Sequence, residues 1–166
     1  MKSSETLAFI IIYLSAALFY ADPAIVGASL SSPWWTAFTC HFAHAGLFHL
    51  CINSLALFLL TSRLSVRASL LALAVATLAI LPSVSAEPTV GLSGVVYAQI
   101  AIYTTYHRPS ALPKVIIGLA LLNGLALIVG SVNVAFHALA FVGGGITTTI
   151  IKIIQLWKRR KTSQHS

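Results

Sequence analysis

Four side chains in this sequence are of types that carry acyl-transfer chemistry when they meet: His49, Asn53, Ser93 and His137. His49 and Asn53 stand at i and i+4, so on a helix they share one face and can point at the same atom. Ser93 opens an apolar run as Gly91-Leu92-Ser93-Gly94, which puts a hydroxyl at a helix N-terminus, where unpaired N–H groups stabilise negative charge. By itself this tetrapeptide is a weak signal, and Val95 replaces the final glycine of the G-x-S-x-G turn of soluble hydrolases. A serine within hydrogen-bond distance of a neutral histidine is an activated nucleophile, because the histidine removes the proton as the hydroxyl attacks a carbonyl. The customary third member is missing: the only carboxylates are Glu5, Asp22 and Glu87, all outside the apolar runs. These residue types therefore suit a Ser93-His137 dyad rather than a triad. Something other than an acid must orient His137, and Tyr97, one turn after Ser93, is placed to stack on its ring. The Asn53 amide, a His49 N–H and the Ser93 backbone N–H could meet a developing oxyanion, each such donor lowering a barrier by about 3 kcal/mol.

The elements that must position these groups are membrane helices. The chain is 58% hydrophobic and 8% charged with mean hydropathy +0.92, far from the roughly half-apolar, quarter-charged make-up of a soluble domain. Apolar runs fall near 6–21, 45–62, 68–86, 92–106, 115–131 and 134–157, against roughly 20 residues for a helical crossing. The first is read as an uncleaved span, since Phe19 spoils a small-x-small cleavage site. Arg63 and Arg67 follow the second run, Arg108 and Lys114 the fourth, and Lys152, Lys158, Arg159, Arg160 and Lys161 close the sixth. With Lys2, that alternation puts all 10 basic residues on one side, which the positive-inside rule makes cytoplasmic. The expectation is an all-α polytopic membrane domain over 1–166, six crossings, both termini cytoplasmic, with a basic tail at 158–166 contacting anionic lipid. The net charge of +7 does not point to nucleic acid, because the basic residues lie between apolar runs rather than interleaved with aromatics on one face.

This topology brings the chemistry together in depth. Spans two, four and six enter from the outer side near Ala45, Leu92 and Val134, so His49, Asn53, Ser93 and His137 all fall in the outer half of the bilayer. His137, Ala140 and Gly144 share a smooth face of span six, which can approach Gly94 and Ala98 of span four.

Three motifs in this order resemble those of the rhomboid family of intramembrane serine proteases: His44-Ala45-Gly46-Leu47-Phe48-His49-Leu50-Cys51-Ile52-Asn53, Gly91-Leu92-Ser93-Gly94 continuing to Ala98, and His137 with Gly144 seven residues on. The resemblance implies a six-transmembrane-helix rhomboid-like bundle that hydrolyses peptide bonds in or near transmembrane segments of membrane-anchored proteins. It implies Ser93 as nucleophile, His137 as base, His49 and Asn53 as oxyanion contributors, and Tyr97 packed on His137. Gly91 and Gly94 flank the nucleophile, and His44 helps hold the loop before span two. No cofactor and no metal is implied. The active site would open to the noncytoplasmic side of a bacterial inner membrane. The compact form is also similar to rhombosortases, a rhomboid branch linked to C-terminally anchored exported proteins. The sequence departs from the family at Thr36, where many members have arginine after the tryptophan, in a shorter loop 22–43, and at Ala140, where glycine is common. The first departure requires that loop to be held differently, and the last could widen the contact between spans four and six.

Other polar positions read more simply. Gln99, Asn123 and Asn133 are expected to be structural, His107 and His165 solvated, Trp34, Trp35 and Trp157 interfacial anchors, and Cys40 and Cys51 without chemistry. Two rival functions are a noncatalytic rhomboid-like membrane-protein binding or quality-control factor and a small transporter with a histidine proton relay. The first usually lacks the serine or histidine, and the second lacks a membrane-embedded carboxylate here.

Overall fold

The computed structural model describes residues 2–129 and 132–163, and among them forms eight α-helices with no strand. Helix α1, Ser3–Ala17, begins where the Glu5 carboxylate accepts the Lys2 N–H at 3.1 Å. It ends short of the expected 21, because Leu18–Tyr20 turn away and Asp22-Pro23 starts a new element. The Asp22 carboxylate caps that one-turn helix, α2 (Pro23–Val26), by accepting the Ala24 N–H at 2.9 Å, with proline at the first helical position. After the short α3 (Thr36–Thr39) come α4 (Leu47–Thr61) and α5 (Val66–Ile80), the latter capped by Ser65. Helix α6, Ser93–His107, stops before Arg108-Pro109, as proline disfavours a helical residue preceding it. Helices α7 (Leu112–Val129) and α8 (Val134–Ser163) complete the chain. Thus α8 carries the basic tail on as helix to Ser163, while 164–166, with His165, and the 130–131 end of the fifth expected span lie outside the described residues.

Among the described residues, three segments are long and apolar enough to cross a membrane: Val66–Ser83, Pro109–Ile128 and Val134–Thr162. The 15-residue helices α1, α4 and α6 are shorter, about 22 Å each at 1.5 Å per residue. Helix α6 is the centre of the bundle: nine of its 15 residues are buried, and α4, α5 and α8 pack on it. At the other extreme, only 6% of the apolar window of α7 is buried. In hydrocarbon there is no water to expel between helices, so close approach of small residues must hold α6 and α8 together. A Cβ placed on Gly144 would stand 2.7 Å from the Ala98 carbonyl oxygen and 3.2 Å from the Ala101 Cβ, so the backbones of α6 and α8 approach closely here. Ala140 is fully buried one turn earlier. Gly94 does not meet a small residue of α8: the Phe136 ring fills the space its side chain would occupy.

Polar bonds fix the register of the core. Gln99 donates to the Thr61 hydroxyl at 2.9 Å, joining α6 to α4, and Lys152 reaches the Thr105 carbonyl near the end of α6 at 2.7 Å. Gln99 is thus structural, as read from the sequence.

At the opposite end the loops are laced to one another. Ala28 and Thr89 exchange both backbone bonds, at 3.1 and 2.9 Å, and Leu30 donates to the Ser85 carbonyl at 2.9 Å. Where the resemblance leads one to expect arginine, buried Thr36 donates to the Pro33 carbonyl at 2.7 Å, and Thr39 donates to Val26 at 3.0 Å. These short bonds hold the shortened loop.

Candidate active site

Ser93 is the first residue of α6, and the chain must turn sharply to deliver it there. Gly91 makes the turn at φ 119°, in the left-handed region that favours glycine, and its N–H is anchored on the Cys40 carbonyl at 2.8 Å. Buried Leu92 follows, then Ser93, whose N–H has no intrahelical partner at this position. Gly91 has a second reason to lack a side chain: a Cβ there would stand 2.6 Å from the His49 ring. His49 therefore lies over the turn that precedes the serine.

His137 comes from the first turn of α8, and that turn is set by Asn133. The Asn133 side-chain oxygen caps α8 by accepting the Phe136 N–H at 2.9 Å. Its amide donates to the Ser83 carbonyl at 2.8 Å and to the Thr89 hydroxyl at 2.9 Å, so the cap is tied to the loop leading into α6. Ser93 and His137 then meet: Oγ lies 2.7 Å from Nε2. The Tyr97 ring stacks on the imidazole with centroids 4.3 Å apart and planes 15° apart. His137 is 9% exposed, which leaves it little freedom to rotate.

The other imidazole nitrogen also has a partner. His137 Nδ1 lies 2.8 Å from the Asn123 side-chain oxygen, and the Asn123 amide donates to the Tyr97 hydroxyl at 2.8 Å and the Leu119 carbonyl at 2.7 Å. The sequence reads Asn123 as structural, and the 14 residues that separate it from His137 carry no periodic link between the two. A signal was nevertheless present: between Lys114 and the end of α7 it is the only polar side chain, and an amide in such a helix is costly without a partner.

His44 bridges two loops. Its Nδ1 lies 3.3 Å from the Phe42 carbonyl and its Nε2 3.5 Å from the Leu92 N–H. A carbonyl must accept and an N–H must donate, so one neutral tautomer satisfies both, with the proton on Nδ1. His44 thus braces the residue before Ser93 as well as the loop before α4, and its ring meets His49 edge-on at 5.2 Å. Asn53, one turn along α4 from His49, is 6% exposed, and its amide nitrogen has no hydrogen-bond partner. A buried amide without an acceptor is an unmet cost, and an incoming oxygen would relieve it.

Sequence reasoning passed over His41. It is fully buried, stacked on Phe136 with centroids 5.9 Å apart, and its Nε2 lies 3.3 Å from the Thr77 hydroxyl. Burial pushes it down to about 4, so it stays neutral and acts as a wedge behind Phe136, the neighbour of His137. Burial likewise pushes the Cys40 thiol up to about 12, which leaves it without nucleophilic character.

The arrangement can activate a hydroxyl, hold the resulting imidazolium under an aromatic face, and offer donors beside the turn. The family model for the Rhomboid domain matches residues 31–157, well over half the chain and including all of the residues just described. The chain belongs to the rhomboid family, whose members are typically intramembrane serine proteases, and it is an integral membrane protein. No curated protein matches the chain.

Proposed function

We propose that this protein is an intramembrane serine endopeptidase that cuts membrane-anchored proteins in or near their transmembrane segments, using Ser93 as nucleophile and His137 as general base. The 2.7 Å contact between Ser93 Oγ and His137 Nε2 carries the reading, since it pairs a hydroxyl at a helix N-terminus with an imidazole whose other nitrogen is already engaged by Asn123. As Oγ attacks the scissile carbonyl, its proton passes to Nε2 and the carbonyl oxygen becomes an oxyanion. The Asn53 amide, His49 and the Ser93 backbone N–H receive that charge. Collapse of the tetrahedral intermediate breaks the C–N bond, with the proton going from His137 to the departing amine. Water then repeats the sequence on the acyl-enzyme.

The membrane geometry suits this role. A helix of about 22 Å does not by itself fill a hydrocarbon layer of about 30 Å, so flanking non-helical residues must complete such a crossing. Helix α6 is nevertheless central and buried, so its N-terminus opens below the outer surface, enclosed by protein, as non-helical backbone at that depth requires. Six crossings by α1 and α4–α8, cytoplasmic termini and a site open to the noncytoplasmic side of a bacterial inner membrane complete the proposal, with residues 1–166 acting as one domain. A substrate helix keeps its carbonyls bonded internally, so the cut segment must unwind, and small or helix-breaking residues are expected near the outer boundary.

The test is a fluorophosphonate on the folded protein together with comparative proteomics of membrane and secreted fractions. Ser93 should become covalently labelled, labelling should vanish in Ser93→Ala, and shed ectodomains should disappear with it. Equal labelling and equal shedding by Ser93→Ala would overturn the assignment.

A further inference from the structure

Asn123 stands in an unusual position on its helix. Among the described residues of α7 it is the only buried one, while its neighbours Leu121, Leu122 and Leu125 are 70%, 55% and 60% exposed. The amide is the one deeply inserted side chain of a helix that otherwise faces outward.

Its orientation follows from its surroundings. The Leu119 carbonyl, 2.7 Å away, can only accept, so the Asn123 group facing it must be the NH2. The side-chain oxygen is then the atom 2.8 Å from His137 Nδ1, and oxygen can only accept. Nδ1 must therefore carry the hydrogen, and Nε2 presents a lone pair to the Ser93 hydroxyl at 2.7 Å. A backbone carbonyl of α7 thus dictates, through three successive hydrogen bonds, which end of the imidazole can take a proton. The Tyr97 hydroxyl, bonded to the same NH2 at 2.8 Å, locks the amide and the stacked ring to each other.

We propose that Asn123 is a positioning residue that selects the proton-accepting tautomer of His137, so that α7 must be docked on the bundle for the serine to be activated. The proposal rests on the Ser93-His137 reading for its catalytic consequence, although the tautomer itself does not. A neutral amide does here what a carboxylate does in an acid-containing triad, orienting the ring, without placing a charge at membrane depth.

The experiment pairs chemistry with spectroscopy on the full-length protein in bicelles. Nitrogen NMR of protein labelled with [15N]histidine, with His137 assigned from His137→Gln, should show the proton on Nδ1. In Asn123→Leu, which keeps the volume and removes the acceptor, that preference should be lost. Fluorophosphonate labelling and kcat should fall about 10- to 1,000-fold with KM unchanged, and Asn123→Asp, which restores an acceptor, should recover part of the loss. Should Asn123→Leu fail to fold, the wild-type tautomer and the Asn123→Asp rate still decide. A wild-type His137 protonated on Nε2, or an Asn123→Leu protein that labels at the wild-type rate, overturns the proposal. If wild type shows the Nδ1 proton, dependent on Asn123, yet never reacts at Ser93, the positioning holds and the protease reading fails.

Discussion

The carbonyl oxygen of Ala98 occupies the place a side chain on Gly144 would need, 2.7 Å from where its Cβ would stand. Backbone cannot swing aside as a side-chain tip can, so any substituent must push α8 off α6. Because those two helices carry His137 and Ser93, the dyad opens with them. Gly144→Val should lower stability by about 1–3 kcal/mol, the usual cost of overpacking, and reduce turnover more than tenfold. Gly118→Ala on α7, with nothing within 4 Å of the added carbon, should leave both unchanged. Thermal unfolding and cleavage rates of the two proteins in the same detergent check the contrast.

Gly91 should tolerate alanine badly for two separate reasons. Its φ of 119° is strained for any side chain, and the added methyl would strike the His49 ring. Gly91→Ala is expected to cost about 1–3 kcal/mol, the scale of such backbone strain, and to slow turnover by shifting His49 and Ser93 together. Wild-type kcat in this variant would remove the turn from any part in placing the site.

Asn53 offers a cleaner kinetic signature. Its buried amide has no partner to lose in the resting protein, so Asn53→Ala should fold as well as wild type or better. Turnover should nonetheless drop by roughly 10- to 1,000-fold, as for the loss of one preorganised oxyanion donor. Undiminished turnover would take Asn53 out of the mechanism.

The dyad should need no acid. Labelling of Ser93 should collapse in His137→Ala and persist in Glu5→Gln, Asp22→Asn and Glu87→Gln, since Asn123 already fills the acceptor position at Nδ1. Loss of labelling in one folded acid variant would identify a charged member of the site.

Topology can be read on intact cells. In a Cys51→Ser background, an impermeant thiol reagent should modify Asp22→Cys and Glu87→Cys but not Arg108→Cys, given the one-sided distribution of basic residues. The reverse pattern would invert the orientation.

Much of this architecture was legible in the chain because it depends on near-neighbour regularities. Apolar run length announces membrane helices, Asp22-Pro23 and Arg108-Pro109 set helix limits, and the i, i+4 spacing of His49 and Asn53 puts both on one face. Gly91 and Ser93 declared a turn and a helix start for the same local reason. What the sequence could not specify was which faces of distant helices meet: in the apolar α7, lone Asn123 marks a position that needs a partner but does not say which helix supplies it. Only the tertiary structure brings Asn123 against His137, fills the notch at Gly94 with Phe136 and sets His41 behind it. It also makes α6, a helix too short to cross unaided, the buried centre of the bundle, because the packing of small residues against backbone, felt only once the helices are in contact, decides which of them lies inside.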